Sequence, residues 1–143
     1  MKIPTKTRHA LRMMLDLALR RGDGFVSLRE VAQRMDVSKT YLEQIVLQLN
    51  KTGLLVTARG AQGGYMLART ADKCTVGDIL RAMDGGVFVF PADGSEPSGD
   101  ALAVMADSVW AELEGVITRH LDSVTLQDIF DRNQAYSGFD YSI

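Results

Sequence analysis

Residues 54–68 read LLVTARGAQGGYMLA, and this stretch decides the fold of the chain. Two short apolar runs flank a segment that carries Gly60, Gly63 and Gly64. Glycine loops that bind phosphates follow a strand, open a helix and read GxGxxG or GxxxxGK[ST], and the segment matches neither pattern. It therefore predicts a β-hairpin whose tip needs glycines at positive φ. Turn geometry accounts for one or two of the glycines, and a slim tip that contacts DNA is our preferred explanation for the rest.

Helical patterns precede the hairpin. Apolar residues recur at helical spacing over residues 5–21, and Thr5 is expected to cap this first helix. Ser27-Leu-Arg-Glu30 is a capping-box sequence that starts a second helix, Asp36-Val37 makes a turn, and Ser38 caps a third helix. The order of a helix, a helix-turn-helix and a hairpin predicts a winged helix.

The third helix provides the candidate base-reading surface. Its inward positions are Leu42, Ile45 and Leu49, so the polar residues of its first turns face outward. In helix-turn-helix proteins this end of the second helix of the motif enters the major groove. There glutamine can pair with adenine, glutamate can accept from cytosine, and Ser, Thr and Lys can hold phosphates or guanine. A solvated helix face is the alternative interpretation.

The charge distribution favours a nucleic-acid partner. The formal net charge is −2, but residues 1–73 hold 13 Lys and Arg against 6 Asp and Glu, a charge of +7. Residues 74–143 hold 3 against 12, a charge of −9. Nucleic acid is a common partner of such a basic half, and accidental drift of surface charge is the alternative. No apolar run approaches the roughly 20 residues that span a bilayer, so we expect a soluble cytoplasmic protein without membrane contact.

The second half predicts a helix, a loop and a longer helix. Thr75-Val-Gly-Asp78 starts the first of these helices, and a polar loop with an extended patch at 87–90 follows it. Apolar residues then recur at three- and four-residue spacing along one long helix: Leu102, Met105, Val109, Leu113, Val116 and Leu121. A second copy is the expected partner of this stripe, because a two-fold dimer matches palindromic DNA. Packing on its own winged helix is the alternative.

The predicted fold is mainly α with a small β-hairpin, a winged helix-turn-helix followed by a long C-terminal dimerisation helix. We divide the chain into a DNA-binding domain at 1–84, a loop at 85–100, and the dimerisation helix with a C-terminal tail at 101–143. The expected partners are a second copy and double-stranded DNA with a palindromic operator.

Three other functions remain as alternatives. An enzyme is disfavoured, because the two histidines, His9 and His120, lie in helical segments without a serine, cysteine and acid placed for nucleophilic catalysis. A redox sensor would act through Cys74, whose place at a helix start can lower a thiol pKa. We prefer Cys74 as a small apolar residue packed under the wing. A protein-interaction module that has lost DNA binding is the third alternative.

Five segments resemble, in order, the bacterial family of winged-helix regulators that contains IscR, NsrR and CymR. The combination of YLEQ with RGxxGGY at this separation is specific, and the resemblance covers nearly the whole chain. It implies a homodimeric repressor or activator crossed by its long helices. The segments are Thr5-Lys6, Ser38 to Gln44, Arg59-Gly-Ala-Gln-Gly-Gly-Tyr65, Thr75-Val-Gly-Asp78 and Asp122-Ser-Val-Thr-Leu126.

The resemblance also implies base contacts from Tyr41, Glu43 and Gln44 and a groove contact from Arg59. Thr7 and His9 depart from the family pattern, in which glycine and tyrosine are more common at these positions. The residue pattern and the resemblance together predict these DNA-binding residues: Lys6, Ser38, Lys39, Thr40, Tyr41, Glu43, Gln44, Arg59, Gly60, Gln62, Gly63 and Gly64.

Cysteine content separates this chain from the cluster-binding members of that family. Those members carry three cysteines in the loop before the long helix, whereas residues 85–107 contain none. An iron–sulfur cluster needs several thiolates, which a single Cys74 does not supply. The chain is therefore most similar to the cluster-free CymR type, and we predict no metal and no cofactor. That type works with cysteine synthase as co-repressor, which makes such a protein a candidate partner.

Overall fold

The computed structural model describes residues 2–85 and 100–134. Two single 3-10 turns, Arg21–Asp23 and Ala71–Lys73, join longer elements. The order of the elements along the chain confirms the predicted helix, helix-turn-helix and hairpin. The longer elements are α1 (Thr5–Leu19), α2 (Leu28–Met35), α3 (Lys39–Lys51), β1 (Leu55–Ala58), β2 (Gly64–Leu67), α4 (Val76–Asp84), α5 (Ala101–Asp122) and α6 (Leu126–Arg132).

Local hydrogen bonds fix the ends of the helix-turn-helix. The Glu30 N–H donates to Ser27 Oγ, which is the half of the predicted capping box that the structure shows. The Tyr41 N–H donates to Ser38 Oγ at 3.0 Å and starts α3 as predicted. Between them, Asp36 ends α2 in the left-handed conformation, at φ 55°. The short turn between α2 and α3 is therefore built from local chemistry.

The predicted cap at Thr5 is wrong. Pro4 occupies the cap position at φ −59°, and Thr5 is the first residue of α1. The carbonyl of Pro4 accepts the N–H of Arg8 at 3.1 Å. Proline fits the residue before a helix because its ring fixes φ at about −65°, but it has no side-chain acceptor for the N–H groups of the first turn.

The first three helices, the hairpin and α4 enclose one apolar core. The inward positions predicted for α3 are confirmed, since Leu42, Ile45 and Leu49 are all fully buried. Thr7 of α1 is the buried polar residue within the described part of the chain, and its hydroxyl bonds to the Asp84 carboxylate at the end of α4. Other fully buried side chains include Met13, Met14, Leu17, Val31, Leu67, Ile79 and Leu126.

The hairpin is attached to the helices through a third extended segment. Strands β1 and β2 pair antiparallel, with Leu55 opposite Leu67 and Ala58 opposite Gly64. Val26, just before α2, forms a bridge with Tyr65 through two backbone hydrogen bonds of 2.9 and 2.8 Å. These bonds fix the position of the wing relative to the start of α2.

Helix α6 lies in the segment predicted as the C-terminal tail, and it returns the chain to the core. Thr75 and Thr125 form an isolated bridge, and each caps the helix that follows it with a complete capping box. Leu126 and Phe130 of α6 are buried in the core that α1 also lines. Two of the segments that carry the family resemblance are therefore paired in the fold. The three-part division of the chain stays a prediction.

Helix α5 extends over 22 residues and buries none of them. Of the predicted stripe, Leu121 is half-buried and the other five side chains are between 40% and 73% exposed. Asp100 caps the helix by accepting the Leu102 N–H. Most of the predicted loop, at 86–99, and the end of the predicted tail, at 135–143, lie outside the described residues. No described helix is long and apolar enough to cross a bilayer.

The C-terminal end of α5 is anchored to α4 by charged groups. Arg81 donates to Asp122 at 2.7 Å and to Asp78 at 3.0 Å. The hydrogen bond that Arg81 donates to Asp122, and the charge of Asp122, raise the pKa of Arg81. Asp78 also lies 3.7 Å from Arg69, which follows the wing. Gly77 packs so closely on Asp122 that an added Cβ would collide with its carboxylate. The chain of charges therefore links the wing, α4 and α5.

Candidate nucleic-acid interface

The glycines of the wing are required by the backbone itself. Gly60 has φ 104°, as the hairpin prediction requires. Gly63 and Gly64 do not have positive φ, so the prediction was wrong for these two. A Cβ on Gly63 would collide with the carbonyl of Ala58, and one on Gly64 with the carbonyl of Val26. Positive φ accounts for Gly60 and close backbone packing for Gly63 and Gly64, so the three glycines carry no separate evidence for DNA contact.

Helices α2 and α3 and the wing line a groove of about 660 Å³. Six of the predicted DNA-binding residues lie on it: Lys39, Glu43, Arg59, Gly60, Gly63 and Gly64. The other six lie outside its lining: Lys6, Ser38, Thr40, Tyr41, Gln44 and Gln62. The structure therefore brings the start of α3 and the base of the wing together on one groove.

The groove also contains a basic residue, Arg29, that is not among the predicted DNA-binding residues. Arg29 follows Leu28 in the first turn of α2 and lines the groove. With Lys39 and Arg59 it makes three cationic side chains against the single carboxylate of Glu43. The sequence contained a signal for this residue, because Arg29 is basic and lies two positions after the predicted Ser27 cap. In the structure Arg29 is exposed. Three cations on one groove form a surface suited to a phosphate backbone.

Lysines hold the two side chains that are the strongest candidates for reading bases. Lys6 Nζ donates to Gln44 Oε1 at 3.2 Å, which joins α1 to α3. Lys39 Nζ lies 3.9 Å from Glu43 Oε1, one turn apart on α3. Both pairs are exposed. The exposed Lys39–Glu43 ion pair stabilises by less than about 1 kcal/mol, and the exposed Lys6–Gln44 hydrogen bond competes with water, so phosphates can readily replace these partners.

Tyr41 is placed differently from the other residues of the α3 surface. Lys39, Thr40, Glu43 and Gln44 are exposed, as predicted, whereas Tyr41 is half-buried. Its hydroxyl lies 2.7 Å from His9 Nδ1. The two rings meet edge to face, with centroids 5.3 Å apart and planes at 89°. His9 is therefore a half-buried, bonded neighbour of the candidate reading surface.

An ion pair joins α1 to α2. Arg34 donates to both carboxylate oxygens of Asp16, at 2.9 and 2.7 Å. The hydrogen bond to Asp16 raises the pKa of Arg34. Arg12 of α1 also donates to the Arg34 carbonyl at 3.3 Å. A two-point contact between a planar guanidinium and a carboxylate fixes orientation as well as distance. It helps to hold the helix-turn-helix against α1.

The residues of this chain do not fit an iron–sulfur cluster. Cys74 is the single cysteine of the sequence and is 2% exposed in the core. Burial, reinforced by the charge of Asp78, raises the pKa of its thiol to about 11. Within residues 2–85 and 100–134, no group of three or more His, Cys, Asp or Glu side chains is arranged to hold a metal ion. Cysteine-ligated clusters need several thiolates in one place.

The arrangement of fold and groove agrees with comparisons to known proteins. Residues 3–132 match the Rrf2 family, which is described as an iron-dependent transcriptional regulator. The chain belongs to the Rrf2 family of transcriptional regulators. Family membership confirms the predicted resemblance and the winged-helix fold. It also excludes the enzyme alternative, because these regulators are not enzymes.

Relatives in the Rrf2 family align over most of the chain. The transcriptional regulator CymR of Bacillus subtilis is 38% identical over 130 residues, which are 90% of this chain and 89% of CymR. IscR of Pectobacterium carotovorum is 32% identical over 134 residues, covering 94% and 82% of the two chains. A solved structure of B. subtilis CymR, described as a global cysteine regulator, matches with TM-score 0.76 at 36% identity, over 92% and 98% of the chains.

Proposed function

We propose that this Rrf2 protein is a cytoplasmic homodimeric repressor that binds a palindromic operator without an iron–sulfur cluster. We further propose that it controls genes of sulfur and cysteine metabolism. The observation that carries the DNA-binding part is the groove between α2, α3 and the wing, with three cations around Glu43. In this proposal the wing lies along the DNA backbone while the first turns of α3 enter the major groove.

The proposal divides the residues of the groove and of the neighbouring α3 surface by task. Arg29, Lys39 and Arg59 bind phosphates or the edge of a groove, because the attraction between a cation and the phosphate backbone does not depend on the base sequence. Glu43 and Gln44 read bases, since a carboxylate can accept from cytosine and an amide can pair with adenine. The lysines that hold these two side chains in the free protein move to phosphates when DNA binds.

Dimerisation in the proposal depends on α5. Its stripe of exposed apolar side chains has no partner within residues 2–85 and 100–134. Pairing with the α5 of a second copy would bury this stripe and would place two α3 helices for two half-sites. Half-sites one helical turn apart, about 34–36 Å, would then match the two-fold symmetry of the protein.

The metabolic role rests on similarity to CymR and on the cysteine content. The solved CymR structure is described as that of a global cysteine regulator, and this chain aligns with most of it. A protein co-repressor such as cysteine synthase is the corresponding candidate for the signal. Co-purification from native cytoplasm tests it: a bound synthase supports this part of the proposal, and a bound small metabolite contradicts it.

Thiol sensing through Cys74 is the competing proposal, and the environment of the residue argues against it. A sensor cysteine is accessible and acidic, whereas Cys74 is buried and its pKa is about 11. We expect Cys74→Ser to retain both the DNA affinity of the parent and its response to peroxide. Loss of a peroxide-induced release in that variant would support the redox sensor.

Selection from a random duplex library tests the DNA-binding proposal. We expect the parent to enrich one palindromic sequence and to bind it more tightly than a scrambled duplex in fluorescence anisotropy. Arg59→Ala should weaken binding to both duplexes and lower the salt slope by about one unit. The control is Arg132→Ala on α6, which removes an exposed charge that does not line the groove. Failure to enrich any sequence would support the interaction module that has lost DNA binding.

A further inference from the structure

Helix α1 meets the reading face of α3 at two points, one turn apart on each helix. Lys6 bonds to Gln44, and His9 bonds to Tyr41. The two α1 residues are three positions apart, as are the two α3 residues, so each pair lies on one helix face. The two contacts join residues that are 38 and 32 positions apart in the sequence, respectively, and they connect α1 to α3 at two places.

Tyr41 is held at both of its ends. Its backbone N–H donates to Ser38 Oγ at 3.0 Å, and its hydroxyl lies 2.7 Å from His9 Nδ1. The edge-to-face contact with the imidazole adds a second restraint on the phenol ring. A tyrosine side chain has two rotatable bonds before its ring is fixed, and without His9 its hydroxyl end would be restrained only by packing. His9 therefore determines where the hydroxyl stands at the start of α3.

We propose that His9 is a positioning residue for base reading, which orients Tyr41 through Nδ1 so that Tyr41 contributes to sequence choice. The inference rests on the proposed DNA-binding function. His9 touches no base in this proposal and acts through Tyr41. The hydroxyl retains one further hydrogen-bonding position while it is bound to the imidazole, and that position is available to a base edge.

The use of Nδ1 provides a matched set of substitutions. In asparagine the amide atoms occupy the same distance along the side chain as Nδ1, whereas in glutamine they lie one carbon further out. Histidine and asparagine also have similar helix propensities, so His9→Asn changes α1 little. His9→Phe keeps a ring of similar shape and removes the nitrogen. His9→Asn should therefore retain the contact, and His9→Gln and His9→Phe should lose it.

The experiment measures the affinity ratio between the duplex selected by the parent and its scrambled version. We expect His9→Phe and Tyr41→Phe each to lower the ratio about tenfold, since one hydrogen bond at a reading position is lost. The double variant should lose no more than either single variant, because the two changes remove one shared interaction. His9→Asn should stay within about threefold of the parent, and His9→Gln should resemble His9→Phe.

Binding to duplexes with single base-pair changes measures discrimination at each position. General loosening of the fold would not remove discrimination at one position alone. The parent should discriminate at one position in each half-site that His9→Phe and Tyr41→Phe no longer discriminate. Thermal unfolding of each variant shows whether it is folded, and Tyr41→Phe tests the same contact from the α3 side. An unchanged ratio in His9→Phe, or an equal loss in His9→Asn and His9→Phe, would overturn the inference. If the parent itself prefers no duplex, the proposed function fails instead.

Discussion

Helices α3 and α5 are both amphipathic, but they differ in where their apolar faces lie. The 13 residues of α3 include four buried side chains that complete the core of its own chain. The 22 residues of α5 include none. Apolar spacing predicted both helices equally well, because periodicity depends on the helix alone. The winged helix therefore buries its apolar residues within one chain, whereas the apolar face of α5 stays exposed within the described residues.

The largest effect should come from placing a charge on the exposed face of α5. Leu113→Asp should shift the protein from dimer to monomer, at a cost on the order of 5 kcal/mol per dimer, because two unpaired carboxylates would be buried. Val104 is the control, since nine residues along a helix correspond to half a rotation and place it opposite Leu113. Val104→Asp should leave a dimer in sedimentation velocity. A monomeric parent, or equal effects of the two changes, would contradict dimerisation through the face of α5 that carries Leu113.

A core substitution in α6 tests the other side of the comparison. Leu126 is fully buried beside α1, so Leu126→Ala should lower the free energy of unfolding by about 2–4 kcal/mol. Leu47 on α3 is 58% exposed, and Leu47→Ala should change stability by less than about 0.5 kcal/mol. Urea unfolding measures both. A small effect at Leu126 would mean that α6 is not part of the winged-helix core.

Replacing either of two wing glycines by alanine should lower the free energy of unfolding, for a different reason at each position. Gly64→Ala places a Cβ against the Val26 carbonyl and should cost about 2 kcal/mol, because the bridge to α2 has to move. Gly60→Ala meets nothing within 4 Å but keeps φ near 104°, so it should cost about 1 kcal/mol. Urea unfolding at fixed pH gives both values. Equal stability of the parent and Gly64→Ala would show that the close approach does not exist in solution.

Most of the fold could be predicted from the sequence because the signals are local. The caps at Ser38 and Thr75 each bond to a backbone N–H three residues further on, and the apolar spacing around Leu42 lies within one helix. Helix α6 was missed although Thr125 and Asp128 repeat the T-x-x-D pattern of Thr75 and Asp78. A short helix near the C-terminus has little periodicity of its own, and its place depends on the core.

The candidate site was predictable in its location but not in its contacts. The α3 surface and the wing came from spacing and turn chemistry, and both line the observed groove. The bonds from His9 to Tyr41 and from Lys6 to Gln44 join residues on different helices, which no local pattern indicates. The close approach to Val26 that restricts Gly64 is likewise a tertiary contact.

The smallest predicted effect concerns acid stability at the anchor between α4 and α5. Burial raises the pKa of Asp78, but hydrogen bonds from Thr75 and Arg81 outweigh it and bring the pKa below its ordinary value of 3.8. Ionised Asp78 therefore stabilises the fold fully above pH 3.8, and this contribution decreases as the pH falls through the lower folded pKa. Asp78→Asn should cost roughly 1 kcal/mol at neutral pH and less in acid.

Urea unfolding of the parent and Asp78→Asn between about pH 3 and pH 7 measures this contribution. The two free energies of unfolding should converge towards the acid end of the range. A constant difference across the range would mean that the ionisation of Asp78 does not contribute to stability.

The central claim is that α3 reads bases while cations around the groove bind the backbone. Fluorescence anisotropy of Gln44→Ala, Glu43→Ala and Lys39→Ala, on selected and scrambled duplexes at several salt concentrations, tests it most directly. Gln44→Ala should cost about 1–3 kcal/mol on the selected duplex and much less on the scrambled one. Glu43→Ala should relax sequence preference and raise affinity for scrambled DNA, because a carboxylate near phosphates is removed. Lys39→Ala should weaken both and lower the salt slope by about one unit. If Gln44→Ala and Glu43→Ala bind both duplexes as the parent does, α3 is not the reading helix and the account is contradicted.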